Sequence, residues 1–263
     1  MRRNNNIYMA TYKKRGNKPK SKVDKRDLLE KQSTTAEVFS TLDQGASKTE
    51  EWVAKNQKYI FIVIAIVAVV VLGSLGYSKY IQEPKEIEAK NNMYQAQVYF
   101  DEAVNGVEKD SLYNMALTGG EGQFGMLDII ENHSGTDAAN LANYYAGMAY
   151  LKLSDYQNAV EHLDAFKSDD EMLGPLAKGG IGDAFVQLEQ FEDAFDYYQQ
   201  AANIKTNDFT TPMFLFKAAT VAMKLLKYND ALGLYTRIKE DFASSNEATN
   251  IDVYIGRAEA LAK

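Results

Sequence analysis

Four glycines, Gly119, Gly120, Gly122 and Gly125, fall within seven residues, a density that elsewhere lets backbone N–H groups cradle a phosphate. Such a cradle also needs a Gly-Lys-Ser/Thr run to neutralise and orient the phosphate, and none follows, so the stretch reads as a loop. Gly179, Gly180 and Gly182 have no strand before them, which argues against a dinucleotide fingerprint and for helix-packing positions. Cysteine is absent, removing thiolate nucleophiles, cysteine metal sites and disulfides. His133 and His162 are the two histidines, too few and too far apart for a ligand spacing. Asp169 and Asp170 form an acid pair, but no neighbour suggests a shifted pKa, and the pair reads as a solvated turn. Asn132-His133-Ser134 matches a glycosylation sequon, a triplet common by chance, with His133 placed near a helix end. The residue types therefore argue against an enzyme and require no cofactor or metal.

What remains is repetition, which decides the elements. YYAGMAYLKLSDYQNAVEHL, GGIGDAFVQLEQFEDAFDYYQQA and FKAATVAMKLLKYNDALGLY align on Ala159, Ala194 and Ala231, spaced 35 and then 37 residues. Gly147, Gly182 and Ala219 let the first helix of each pair approach the second, and the aligned alanines reciprocate. SDYQNA, EQFEDA and LKYNDA are the turns and second-helix starts, while Pro175 and Pro212 begin the following units. Gly256 falls 37 after Ala219, so IDVYIGRAEALAK is a final partial unit that caps the array. Upstream, Ile87–Val104 carries apolar residues at helical spacing, FGMLDIIENH is a short helix, and with AANLANYYAGMAYL they form a degenerate first unit. The pattern matches the tetratricopeptide repeat, which predicts an all-α fold with an α-solenoid over 79–263.

In that pattern the first helix of each pair lines a hollow able to hold a partner peptide. The candidate groove residues are Tyr144, Met148, Leu151 and Lys152, then Asp183, Val186 and Gln187, then Phe216, Thr220, Met223 and Lys224. Their aromatic and methionine content suits an apolar peptide, although several also serve to complete the core between repeats. The clustered basic residues of a carboxylate clamp are missing from this set.

A net charge of −7 conceals a split. Residues 1–58 hold fourteen Lys/Arg against seven Asp/Glu, and the remainder holds fifteen against twenty-nine. Between Lys58 and Lys79 lie twenty uncharged residues, Tyr59–Ser78. As a helix they reach roughly 30 Å, the thickness of a hydrocarbon core. Trp52 and Tyr59 at one end, with Tyr77 and Tyr80 at the other, are the interfacial anchors. The position and flanks argue against a cleaved signal. The lysine-rich side, KKRGNKPKSKVDKR above all, puts the N-terminus in the cytoplasm and the acidic part outside. The expected divisions are a disordered basic tail (1–27), a helical juxtamembrane segment (28–58), a transmembrane helix (59–78) and the repeat domain (79–263). The tail reads as a topology signal, and would also suit anionic lipid or a ribosome. Met9-Ala10-Thr11 is a second plausible start beside Met1, and Pro84 is expected to separate the membrane helix from the next.

This order of elements, with EEWVAKNQKYI before the span and GTDAANLANYYAGMAYL and GGIGDAF after it, resembles the ancillary SecYEG translocon subunit family (YfgM-like), in its Bacteroidetes form, over about residues 45–263. The resemblance implies an inner-membrane protein with a periplasmic domain. Its implied partners are SecYEG, a periplasmic peptidyl-prolyl isomerase-type chaperone and emerging secreted chains, with membrane lipid around the anchor and no nucleic acid. The implied role is non-catalytic scaffolding of protein export. The alternative is a scaffold of another envelope complex, in outer-membrane assembly or secretion.

Overall fold

The computed structural model describes residues 35–106 and 109–263, with side chains from Glu50 onward. The tail assigned to 1–27, both possible starts and the beginning of the 28–58 segment lie outside the described residues. The described residues are mainly helical, with no strand among them. Contacts divide the chain into a unit ending at Ser74 and a second, Leu75–Lys263.

Helix α1 runs Thr35–Tyr77, so the juxtamembrane and apolar stretches belong to one helix rather than two. Its apolar part is long and apolar enough to cross a membrane, with mean hydropathy 2.8 and none of that window buried. Side chains such as Val69, Val70 and Leu72 are exposed along it.

Pro84 does not break the chain. Ser78–Gln82 forms a π-helical turn, closed by Glu83 N–H donating to the Ser78 carbonyl, and Pro84 sits in the first turn of α2 (Glu83–Asn105). A proline has no N–H to give and its ring crowds the carbonyl four residues back. Widening the turn just before it accommodates both demands without ending the helix.

The second unit begins with α2. Ala89, Met93, Ala96, Tyr99 and Ala103 recur every three or four residues and bury one face against α3 (Lys109–Thr118), α4 (Met126–Asn132) and α5 (Asp137–Lys152). Phe100 bridges the group, edge-on to Tyr113 at 5.5 Å and to Tyr145 at 5.0 Å. Glu86 reaches α5 and accepts from the N–H groups of Asp137 (2.7 Å) and Ala138 (3.1 Å), a carboxylate at the positive end of a helix. Glycines 119–125 form the loop between α3 and α4, with φ of 81° at Gly119 and 78° at Gly122.

Three helix pairs follow: α5 with α6 (Tyr156–Ala165), α7 (Leu173–Gln187) with α8 (Phe191–Ile204), and α9 (Thr210–Lys224) with α10 (Tyr228–Asp241). α11 (Ile251–Leu261) packs on α10. Each second helix also meets the next first helix, and α7 touches both α5 and α9. The pairs close in the same way. Leu153, Leu188 and Leu225 donate to the carbonyls four residues back, and Asp155, Gln190 and Lys227 donate to Tyr150, Phe185 and Ala222, each at 2.9 Å. This six-to-one closure needs a left-handed residue between them, and Ser154, Glu189 and Leu226 take φ of 64°, 58° and 60°. At the other end Asp170 and Asn207, 37 residues apart, each accept from two N–H groups at the start of the following helix.

The core lies where first and second helices cross. A Cβ on Gly147 would come 2.5 Å from Leu163 Cγ, and one on Gly182 would come 2.7 Å from the Tyr198 ring. Ala159, Ala194 and Ala231 are wholly buried opposite them. Large side chains such as Leu163, Ile181, Phe214 and Leu215 fill the rest, each burial stabilising by about 1.5–3 kcal/mol.

A left-handed glutamate is a removable strain. Glu189→Gly is expected to raise stability by about 0.5–1 kcal/mol, since the αL penalty slightly exceeds the entropy that glycine adds to the unfolded chain. Chemical denaturation of the two proteins checks this, and a lower midpoint for Gly would show that position 189 is unstrained.

Candidate functional site

The eleven groove residues all lie on the first helices α5, α7 and α9. Lys152, Gln187, Thr220 and Lys224 are exposed, while Tyr144, Met148, Leu151, Asp183, Val186, Phe216 and Met223 are half-buried. The half-buried set divides its surface between core and solvent. Tyr144 tilts against Phe166 at 5.3 Å. Met148 packs with the cluster around Leu163 and Ile181, and Val186 and Met223 pack with the one around Phe214.

Asp183 is committed to the structure. It receives Lys217 Nζ at 2.7 and 2.9 Å and the Tyr198 hydroxyl, tying α7 to both α9 and α8. The same ammonium lies 5.5 Å from the Tyr198 ring centroid. Burial, then the charge and hydrogen bond of Asp183, hold the Tyr198 phenol well above the ordinary tyrosine range. A folded-state pKa above the unfolded value of about 10 gives stability that is complete below pH 10 and declines as the pH rises past it. Tyr198→Phe is expected to flatten that alkaline decline while costing about 1 kcal/mol at neutral pH for the lost hydrogen bond. Melting curves between about pH 8 and 11 test it, and an unchanged alkaline slope would contradict it. Burial raises Tyr144, Tyr145 and Tyr150 too, so the flattening is partial.

Acid pair Asp169-Asp170 lies in an exposed turn, as expected, but Asp170 has a shifted pKa, contrary to the sequence reading. N–H groups of Leu173 and Met172 both donate to its carboxylate and hold it below the usual range. That role is capping of α7. His133 ends α4, buried, with Nε2 3.1 Å from Asn92 Nδ2. His162 stacks on Tyr150 at 5.4 Å with Nδ1 3.0 Å from Asn143 Oδ1, and burial lowers its pKa. Among the described residues no three acidic or histidine side chains converge on a point that could hold a metal ion.

Three of the groove residues meet at a cavity. Thr220, Met223 and Lys224 of α9 line it with Leu226, Tyr228 and Tyr235 and with Tyr254, Arg257 and Leu261 of α11, around about 450 Å³. Phe216 supports it from behind, edge-on to Tyr254 at 4.9 Å and to Tyr235 at 5.6 Å. Tyr235 is buried, and burial raises its pKa, against a hydrogen bond to Thr220 and the charge of Arg257, which lower it. Lys224 Nζ sits 3.7 Å from the ring centroid of Phe191, a residue of α8 outside the cavity lining. The sequence reading missed the contributions of α10 and α11 because it sought the groove on first helices alone. The available signal was Tyr254, Arg257 and Leu261, three and four residues apart on one helical face.

Of the anchor residues, Trp52 and Tyr59 lie on α1 and Tyr77 ends it, while Tyr80 lies on the π turn; all four are exposed. No protein-family model matches the chain, and no curated protein is significantly similar to it.

Proposed function

We propose that the chain is a non-catalytic, membrane-anchored protein-binding subunit whose tetratricopeptide-type solenoid holds a partner on the face of its first helices. The observation that carries this reading is the triple recurrence of one helix pair, closed by one turn geometry at 35- and 37-residue intervals, beside a span apolar enough for a bilayer. Such stacks present long faces of half-buried side chains, which suit recognition better than chemistry. The lysine bias of the first 58 residues supports a cytoplasmic tail and a periplasmic solenoid at the bacterial inner membrane. The order of elements supports association with the SecYEG translocon, where the anchor raises the effective concentration of a weak binder. The solenoid then scaffolds a periplasmic peptidyl-prolyl isomerase-type chaperone, or an emerging chain, at the channel exit.

Photo-crosslinking from Leu151 and Phe216 in the native membrane tests the proposal. Adducts with SecYEG subunits and a membrane-anchored isomerase are the expected result. Adducts confined to outer-membrane or peptidoglycan-associated proteins would replace the translocon with another envelope complex, and no protein adduct from either position would overturn protein binding on this face.

A further inference from the structure

The cavity between α9, α10 and α11 has a charge opposite to that of its surroundings. From residue 59 onward acidic residues outnumber basic ones by twenty-nine to fifteen, yet no acidic side chain lines this cavity. Six other cations of the second unit, such as Lys178, Lys217 and Lys239, are paired with carboxylates. Lys224 and Arg257 are among the nine of its fifteen cations that form no ion pair among the described residues, and they are the two that line this cavity. Apolar groups flank these charges on both sides. Tyr254 lies one turn before Arg257 on α11 and Leu261 one turn after, while Leu226, 70% exposed, stands beside Lys224 at the rim.

We infer that this cavity seats an acidic side chain of an extended partner segment, held between Lys224 and Arg257, with apolar residues of the same segment against Tyr254 and Leu261. Tyr254 to Leu261 spans roughly 10 Å along a helix. Residues i−2, i and i+2 of an extended chain share one face over roughly 13 Å, which matches an apolar–acidic–apolar alternation to this wall. A terminal carboxylate would have chain on one side only and leave one apolar wall bare. Guanidinium can take a carboxylate through two parallel hydrogen bonds. The inference rests on the protein-binding reading and names the chemistry of its ligand.

The test uses the full chain in detergent or nanodiscs and a fluorescent, end-blocked peptide containing Leu-Ser-Glu-Ser-Leu. Anisotropy is expected to show the Glu peptide binding about tenfold tighter than its Gln counterpart, and tighter than a Gln peptide with a free C-terminal carboxylate. Arg257→Gln and Lys224→Gln, both at exposed positions, should each remove that preference; Arg257→Gln leaves the melting temperature unchanged, and Lys224→Gln lowers it by no more than about 2–4 °C for the lost Phe191 contact. Equal binding of the Glu and Gln peptides, binding of neither, or a preference that survives both substitutions would overturn the assignment. Preference for the free carboxylate would make this a chain-end site and overturn it equally. If crosslinks from Leu151 persist in any of these cases, the cavity assignment fails alone; if they vanish too, protein binding on this face fails with it.

Discussion

Gly179→Ala is expected to lower the stability of the second unit by about 3 kcal/mol, the upper end for overpacking a core. A Cβ at position 179 would lie 1.9 Å from Cε1 and 2.1 Å from Cζ of Phe214. That ring cannot swing aside. Its side chain is 2% exposed, it stacks 6.3 Å from Tyr198, and Lys217 Nζ lies 5.7 Å from its centroid. For a domain of this size each kcal/mol moves the melting temperature by roughly 2–4 °C, so a fall of about 6–12 °C is expected. Phe214→Leu should rescue part of the loss, because it removes the atoms that a methyl at position 179 meets. Melting of the two single variants and the double variant measures this, with a coupling of at least about 1 kcal/mol in favour of the double. Additive losses, or an Ala variant that melts like the parent, would mean that α7 and α9 do not approach through position 179.

A second large effect concerns the apolar span. Val67→Lys combined with Val70→Lys is expected to move the protein out of the carbonate-resistant membrane fraction. Each lysine near a helix centre opposes insertion by about 2.5–3.5 kcal/mol. Twelve Ile, Val, Leu or Phe residues between Tyr59 and Ser78 favour it. Each supplies about 0.3–0.6 kcal/mol, and the double substitution also deletes two of them. The balance therefore changes sign, while a single substitution leaves insertion favoured by about 2 kcal/mol. Substitutions at exposed positions leave the second unit to melt as before. Retention of the doubly substituted chain in the membrane would show that something other than the span anchors it.

Much of this architecture was legible in the sequence because small residues leave a mark. Gly147, Gly182 and the aligned alanines announced where helices cross, and Leu163 and Tyr198 do occupy the space they leave. The left-handed turn positions were not legible. Ser154, Glu189 and Leu226 share a backbone conformation but no side-chain type, and the carbonyls behind them hold the geometry. Helix α3 was also missed: Tyr113, Ala116 and Leu117 stand three and four residues apart on its buried face, but one such set in ten residues is a short signal, and packing on α2 fixes the helix. Pro84 misled for the opposite reason. A proline ordinarily signals an end, and nothing local reveals that a wider turn will absorb it. The cavity lay beyond a reading confined to single helices, because Lys224 and Arg257 are separated by an entire helix pair's second member and meet only after α11 folds back.

Packing between sequence neighbours has a kinetic consequence. Helices α5 to α11 contact chiefly the helices just before and after them, so nearly every contact closes a short loop and little entropy opposes each step. Domains built this way fold fast for their size, from any pair outward. A chain emerging residue by residue can therefore complete one pair before the next appears. The aromatic group of Phe216, Tyr235 and Tyr254 is completed only when α11 docks, together with the burial of Ile251 and Ala258 and the Lys239–Asp252 pair.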